Sequence, residues 1–290
     1  MDPKALNALV HDHEADAYDD RFLIDISPGL GKAVLRELTE ALGGVPRATR
    51  LLDVACGTGY LALGAGMAGI AQELVATDIS AGMLKKAREN AGKADIRLEL
   101  ACADGEALPF RDASFDLVVV RGALHHVPDP VAMLRECRRL LTPVGRVACI
   151  AEPTASGERQ VGRVVGSLYK TVTAIQKARG KEPTPADAAA QNWELASMAA
   201  NLHTFSREDL ERAGAQAGFS SVKVGSASWA WVLTLGVHYY LAGAFPAAWR
   251  HGPMRRVSAR VVRAADALDR AVLDAVIPDR FHHTLWAVMS

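Results

Sequence analysis

Residues 51–60 read Leu51-Leu52-Asp53-Val54-Ala55-Cys56-Gly57-Thr58-Gly59-Tyr60. An apolar run ends in a carboxylate, and a Gly-x-Gly turn leads into small, helix-compatible residues up to Met67. This is the pattern of a buried strand, a tight turn and a helix N-terminus. Such a turn brings backbone N–H groups close to a ligand.

Further acidic strand ends follow in order. Leu74-Val75-Ala76-Thr77-Asp78 places Asp78 twenty-one residues after Gly57, where a carboxylate accepts both hydroxyls of a ribose. Ile96-Arg97-Leu98-Glu99-Leu100 reads as a third strand and leads to Ala103-Asp104-Gly105. Phe115-Asp116-Leu117-Val118-Val119-Val120 reads as a fourth, followed by Arg121 and the pair His125-His126. Continuous Val/Leu strands alternating with helical patterns imply a parallel sheet buried on both faces. Ligands of such sheets sit at the carboxyl ends of the strands.

Residues from about 50 to 150 resemble a class I S-adenosylmethionine-dependent methyltransferase of the ubiquinone/menaquinone-biosynthesis-like small-molecule group. The stretches LLDVACGTGY, VATDISAGMLKKARE, ADGEALPF, FDLVVVRGALHHVPDP and CRRLLTPVGRVACI carry the resemblance. It implies an α/β fold with a doubly wound, mostly parallel seven-stranded sheet, Rossmann-like, its last strand antiparallel, and here an added helical cap. It also implies S-adenosylmethionine as cofactor. Asp53, Ala55 and the backbone of Gly57, Thr58 and Gly59 would hold the methionyl end. Asp78 would take the ribose, Ile79 would lie against the adenine, Asp104 and Gly105 would meet the adenine amino group and ring nitrogen, and Met83 would also belong to the cofactor site. Arg121 and His126 would lie where the loop after the fourth strand covers the methionyl moiety. Val144 stands where the family usually carries a second glycine, in a turn of structural use only.

Gly57-Thr58-Gly59-Tyr60-Leu61-Ala62 also satisfies the G-x-G-x-x-G/A spacing of a nicotinamide dinucleotide site. Charge argues against that rival. Asp53 stands where a dinucleotide places its pyrophosphate, and two like charges about 6 Å apart repel by roughly 2–3 kcal/mol at an effective dielectric near 20. The ammonium and sulfonium of S-adenosylmethionine are attracted instead. A third reading is a protein that binds S-adenosylmethionine without transferring its methyl group.

Composition fits an enzyme of small molecules. The 290 residues include 33 basic and 33 acidic side chains, so no charge excess points to nucleic acid. Four cysteines, with no Cys-x-x-Cys, suggest reduced thiols in a cytoplasmic protein rather than a zinc site or disulfide frame. No metal site is expected. His11 and His13, two apart on an expected helix, do not share a face and read as part of a solvated polar surface.

The chain divides by pattern into an N-terminal helical lid (1–44), the cofactor-binding core (45–157), a helical cap (158–203) and the remainder of the core (204–290). Tyr18, in a Tyr-Asp segment resembling the family's cofactor cap, is the candidate lid residue. Ser206 with Asp209 reads as a helix start and Gly218 as its end. Between strand six, beginning at Val222, and strand seven at Thr284–Met289 lies an aromatic-rich helical insertion, about 232–280. Its mostly apolar run from Trp229 to Trp249 is long enough to suggest a membrane span, but strand seven must return to the sheet on the same side. Trp193, Trp229, Trp231, Tyr239 and Tyr240 are candidates for an apolar acceptor pocket. Arg255, Arg256, Arg260 and Arg263 accompany Val257, Val261 and Leu268 at helical spacing. They read as a solvated face, with an anionic substrate or an acidic membrane surface as the other reading.

Methyl transfer to a small, fairly apolar acceptor requires alignment and exclusion of water. A hydroxyl acceptor also needs a base, for which histidine is suited. His126 is the first candidate for that role and His125 the second, with His282 and His283 behind them.

Overall fold

A computed structural model of the chain describes residues 2–178, 201–244 and 253–290. Seven strands form one sheet in the order β3-β2-β1-β4-β5-β7-β6. They are β1 (Ala48–Val54), β2 (Ala71–Asp78), β3 (Glu99–Cys102), β4 (Phe115–Arg121), β5 (Leu141–Pro153), β6 (Val222–Ala227) and β7 (Thr284–Met289). The first five run parallel, and β7 enters antiparallel between β5 and β6.

The strand sequences are apolar at consecutive positions because both faces are covered. Leu52, Val54, Val118, Val120, Val147 and Cys149 point into one core, and Leu51, Leu117, Val119, Ala148 and Ile150 into the other. Alternation of side chains along a strand sends neighbours to opposite faces. The first core is closed by α5 (Pro130–Leu140) and α7 (Arg207–Ala217), through residues such as Leu134 and Leu210. The second is closed by α2 (Pro28–Leu42) and α3 (Tyr60–Met67), through Val34, Leu38, Leu61 and Leu63.

Two strand boundaries depart from the sequence expectation. The third strand begins at Glu99, not Ile96. Ile96 is used to end α4 (Ala81–Ala94): Asp95 is left-handed (φ 53°) and the Ile96 N–H returns to the Ala91 carbonyl at 3.0 Å, a Schellman-type stop. The fifth strand begins at Leu141, which pairs with Phe115. The expected turn at Val144 is an irregularity within that pairing.

The helix α7 starts and stops as its sequence implies. Ser206 and Asp209 form a reciprocal capping box, and Gly218 closes the end with φ 93°. Helix α1 (Pro3–Arg21) packs on α4. Helix α6 (Ala155–Ala178) packs on α8 (Ala230–Ala244), which packs on α9 (Pro253–Leu268). The carboxylate of Asp269, buried just beyond α9, accepts hydrogen bonds from the first two N–H groups of α8, Ala230 at 2.8 Å and Trp231 at 2.7 Å. Among the described residues no helix is long and apolar enough to cross a membrane.

Candidate active site

The carboxyl ends of β1, β2 and β4 open into one cleft, closed on its outer side by residues of α1. Its floor is the turn after β1. Ala55, Gly57 and Gly59 all have positive φ, at 56°, 55° and 91°. This conformation costs a non-glycine residue energy, so Ala55 is held in a strained position directly beside the cleft. A Cβ at Gly57 would meet nothing within 4 Å: glycine here serves the backbone angle and keeps the concavity open.

Two carboxylates brace this turn. Asp78 accepts from the Gly57 N–H at 2.8 Å and the Ser80 N–H at 2.9 Å. Asp53 accepts from the Ala62 N–H at 3.0 Å, in the first turn of α3. Burial pushes the Asp53 carboxyl up to about 7. The Ala62 hydrogen bond opposes this, the charge of Asp78 adds to it, and Arg121 offsets part of it. Burial likewise raises Asp78 to about 6, against hydrogen bonds from Ser80, Gly57 and Ile79. Carboxylates held this way favour a ligand with positive charge and hydroxyl donors.

Arg121 donates from Nε to both oxygens of Glu37, at 2.9 and 3.2 Å, and its guanidinium lies 4.4 Å from the Tyr60 ring centre. At the other end of the cleft, Lys4 of α1 bridges Asp104 and Glu106 at 2.6 and 2.7 Å. Asp104 thus has one oxygen paired to Lys4 and the other taking the Glu106 N–H at 2.9 Å.

Of the residues singled out from sequence, Tyr18, Asp53, Ala55, Gly57, Thr58, Asp78, Ile79, Met83, Asp104, Gly105, Arg121 and His126 all line this cleft. Gly59 does not. Its N–H turns back to the Cys56 carbonyl at 2.9 Å and its Cα faces Leu63, so it shapes the helix start instead. His125 also lies outside the cleft lining, with its Nδ1 2.9 Å from the wholly buried Glu152. His282 and His283 are buried elsewhere, before β7.

The aromatic candidates do not gather there either. Trp229 donates from Nε1 to Gln160 at 3.2 Å. Trp231 lines a second cavity, beyond Tyr60 and Arg121, among Glu37, Glu40, Asp266 and Arg270. Tyr240 is buried edge-on to Tyr169. Trp193 and the side chain of Tyr239 lie outside the described residues. The physical reason is helix packing: α8 packs on both α6 and α9, and Trp229 and Tyr240 are taken up against α6 rather than at the cleft.

His11 and His13 do lie on different faces of α1, since His13 is exposed and His11 is not, but His11 is no part of the solvated surface expected for it. It lines the cleft, its ring edge-on to His126 at 5.2 Å between centres. Its Nδ1 is buried without a hydrogen-bond partner. Burial, and then the neighbouring His125, lower it to about 4, so the ring is neutral at physiological pH. Asn7, Ile24, Val127 and Pro128 complete this end of the cleft. A helical-face count on α1 (Lys4, Asn7, His11, Tyr18 at spacings of three, four and seven) is the signal that could have found them.

A parallel sheet with a strained glycine turn, two buried carboxylates at adjacent strand ends and an open cleft above them defines a nucleoside-binding α/β enzyme. Comparison with known proteins makes this specific. The family model for a methyltransferase domain matches residues 52–149. The demethylmenaquinone methyltransferase of Listeria welshimeri is 38% identical over 164 residues, 51% of this chain and 70% of that protein. The protein of the same name from Staphylococcus aureus is 31% identical over 63% of this chain and 73% of its own length. The crystal structure of Haemonchus contortus phosphoethanolamine N-methyltransferase 2 with S-adenosyl-L-methionine shares the fold. Its TM-score is 0.55 and its identity 20%, over 96% of this chain and 56% of that one. The chain belongs to the class I S-adenosylmethionine-dependent methyltransferases. Its cofactor is S-adenosylmethionine, and the nicotinamide reading falls.

Proposed function

We propose that the methyl group goes to carbon or oxygen of a small, fairly apolar, quinone- or lipid-like acceptor, bound at the His11–His126 end of the cleft. The observation that carries this reading is the make-up of that end. Ile24, Val127 and Pro128 stand beside Tyr18 and two imidazoles, with one ring neutral and one ring nitrogen unpartnered. Such a surface suits an apolar ring bearing one or two hydroxyls. The names of the relatives from Listeria welshimeri and Staphylococcus aureus point the same way.

The residues present fit the cofactor. Asp53 and the backbone of Ala55, Gly57 and Thr58 would hold its methionyl end, Asp78 the ribose hydroxyls, and Ile79, Met83, Asp104 and Gly105 the adenosine. Bound there, S-adenosylmethionine supplies a methyl group activated as a sulfonium. The chain's part is placement and proton handling. Asp53 and Asp78 are braced by backbone N–H groups, so little reorganisation accompanies binding. His126 accepts the proton lost by an acceptor hydroxyl or by an activated ring carbon. His11 accepts a hydrogen bond that orients the acceptor, and α1 keeps water out.

The test is formation of S-adenosylhomocysteine with a set of acceptors. Turnover is expected with a reduced demethylnaphthoquinone carrying a short prenyl tail, and weaker turnover with simple catechols. Turnover confined to amines such as phosphoethanolamine overturns the reading.

A further inference from the structure

The segment from Pro253 to Val276 carries its apolar residues outward. On α9, Val257, Val261, Ala264 and Leu268 are all exposed. Their spacing (i, i+4, i+7, i+11) makes one continuous ridge along the helix. The ridge continues past a π-helical turn (Asp269–Leu273) with Val272 and Val276, and Val257 and Val276 are 57% and 65% exposed. The buried face of the same helix is a different one, with Val262, Ala265 and Asp269. The ridge is therefore not the side by which α9 joins the fold.

Beside the ridge runs a second row at the same spacing: Arg256, Arg260 and Arg263, all exposed. The acidic residues of the segment are taken up elsewhere. Asp266 pairs with Arg270 and Arg36, Asp269 caps α8, Asp274 accepts the Ser228 N–H and Asp279 pairs with Arg207. Arg255, on the inner side, pairs with Asp20 of α1 at 2.8 Å. The outward face is thus apolar and cationic only.

We infer that α9 and the turn after it form a membrane-docking face that lays its valine and leucine ridge into the interface of an anionic lipid bilayer while Arg256, Arg260 and Arg263 meet the headgroups. An apolar stripe flanked by arginines is the pattern of a helix lying in the plane of a membrane surface. Charge selects the occupant. A second copy of this chain meeting the same face would set arginine rows against one another. A nucleic acid would have no use for an exposed ridge of valines. The Arg255–Asp20 pair ties this face to the helix that closes the cleft. The inference does not depend on the identity of the acceptor.

The test is co-sedimentation of the full chain with vesicles of phosphatidylcholine alone and with about 30% phosphatidylglycerol. Binding is expected with the anionic vesicles and should weaken sharply at about 0.5 M salt. The triple variant Arg256→Gln, Arg260→Gln, Arg263→Gln should lose about fivefold per charge. Val261→Asp should lose at least about tenfold. Both variants should keep the affinity for S-adenosylhomocysteine and the thermal midpoint of the parent, which separates lost docking from lost folding. No sedimentation with anionic vesicles overturns the inference. So does undiminished binding by both variants, or a dimer in solution that Val261→Asp dissociates.

Discussion

Glu152 and His125 form a buried pair, with Oε2 of the carboxylate 2.9 Å from Nδ1 of the ring. The same carboxylate accepts the N–H groups of Ala123 and Leu124 at 3.0 Å and of His125 at 3.1 Å. It thereby fixes the whole turn after β4. This makes His125 a positioning residue. Glu152→Ala leaves three buried N–H groups and an imidazole without their partner, which should cost about 3–5 kcal/mol. Chemical denaturation of the two proteins measures it, and a loss below about 1 kcal/mol would refute the bracing role.

His126 stands on the other side of that turn. Its ring lies 4.0 Å from His125 and 5.2 Å from His11, centre to centre, and it faces the cleft. His126→Ala should lower kcat by about 10²-fold, with little change in denaturation midpoint. His125→Ala should show the reverse balance. Equal effects of both on kcat, with stability intact, would place the proton acceptor elsewhere.

Asp78 holds the Gly57 and Ser80 N–H groups and lines the cleft. Asp78→Ala should weaken S-adenosylhomocysteine binding by about 1.5–3 kcal/mol through loss of charge-assisted hydrogen bonds. Titration calorimetry reads this directly. Unchanged affinity would remove Asp78 from the cofactor site.

The parts of the site that were legible in the sequence lie where backbone geometry dictates position. Asp53, Asp78 and Arg121 end strands of a parallel sheet, so topology alone carries them to one edge. The turn from Ala55 to Gly59 is marked by glycine. His11 was only half legible: the spacing of Lys4, Asn7, His11 and Tyr18 marks one face of α1, but that this face meets the cleft depends on the docking of α1 against α4, a long-range contact. The tryptophans misled for a related reason. Aromatic content says that a surface is covered, but not by what, and here the half-buried Trp229 and the buried Tyr240 are both taken up against α6. Gly59 shows a finer limit: the motif identifies both glycines, yet only Gly57 faces the cleft.

Gly64 tests the packing of α3 on α2 without touching the cleft. A Cβ there would lie 2.3 Å from Val34 Cγ2 and 2.7 Å from Val34 Cβ. Both helices are fixed in the same core, so neither gives way freely. Gly64→Ala should destabilise by about 1–3 kcal/mol, seen as a lower thermal midpoint, while cofactor affinity measured well below that midpoint stays within about twofold of the parent. A stabilised variant would mean that the helices are not closely packed at this point.

The raised carboxyls predict how pH couples to cofactor binding. Burial lifts Asp53 to about 7 and Asp78 to about 6, above the ordinary carboxylate range near 4. A carboxyl raised on folding favours the folded state fully at low pH, and that contribution is lost as pH rises through the folded value. From about pH 4 to 7 these two groups therefore oppose the stability of the free protein progressively. A ligand bearing an ammonium and a sulfonium favours the ionised carboxylates, so its binding drives protons off. S-adenosylmethionine affinity should rise between pH 5.5 and 7.5, and the thermal stabilisation it confers should grow over the same range. Calorimetry in buffers of different ionisation enthalpy should show net proton release near pH 6.5, reduced in Asp53→Asn. Proton uptake at that pH, or release undiminished in Asp53→Asn, would mean that Asp53 is already ionised in the free cleft.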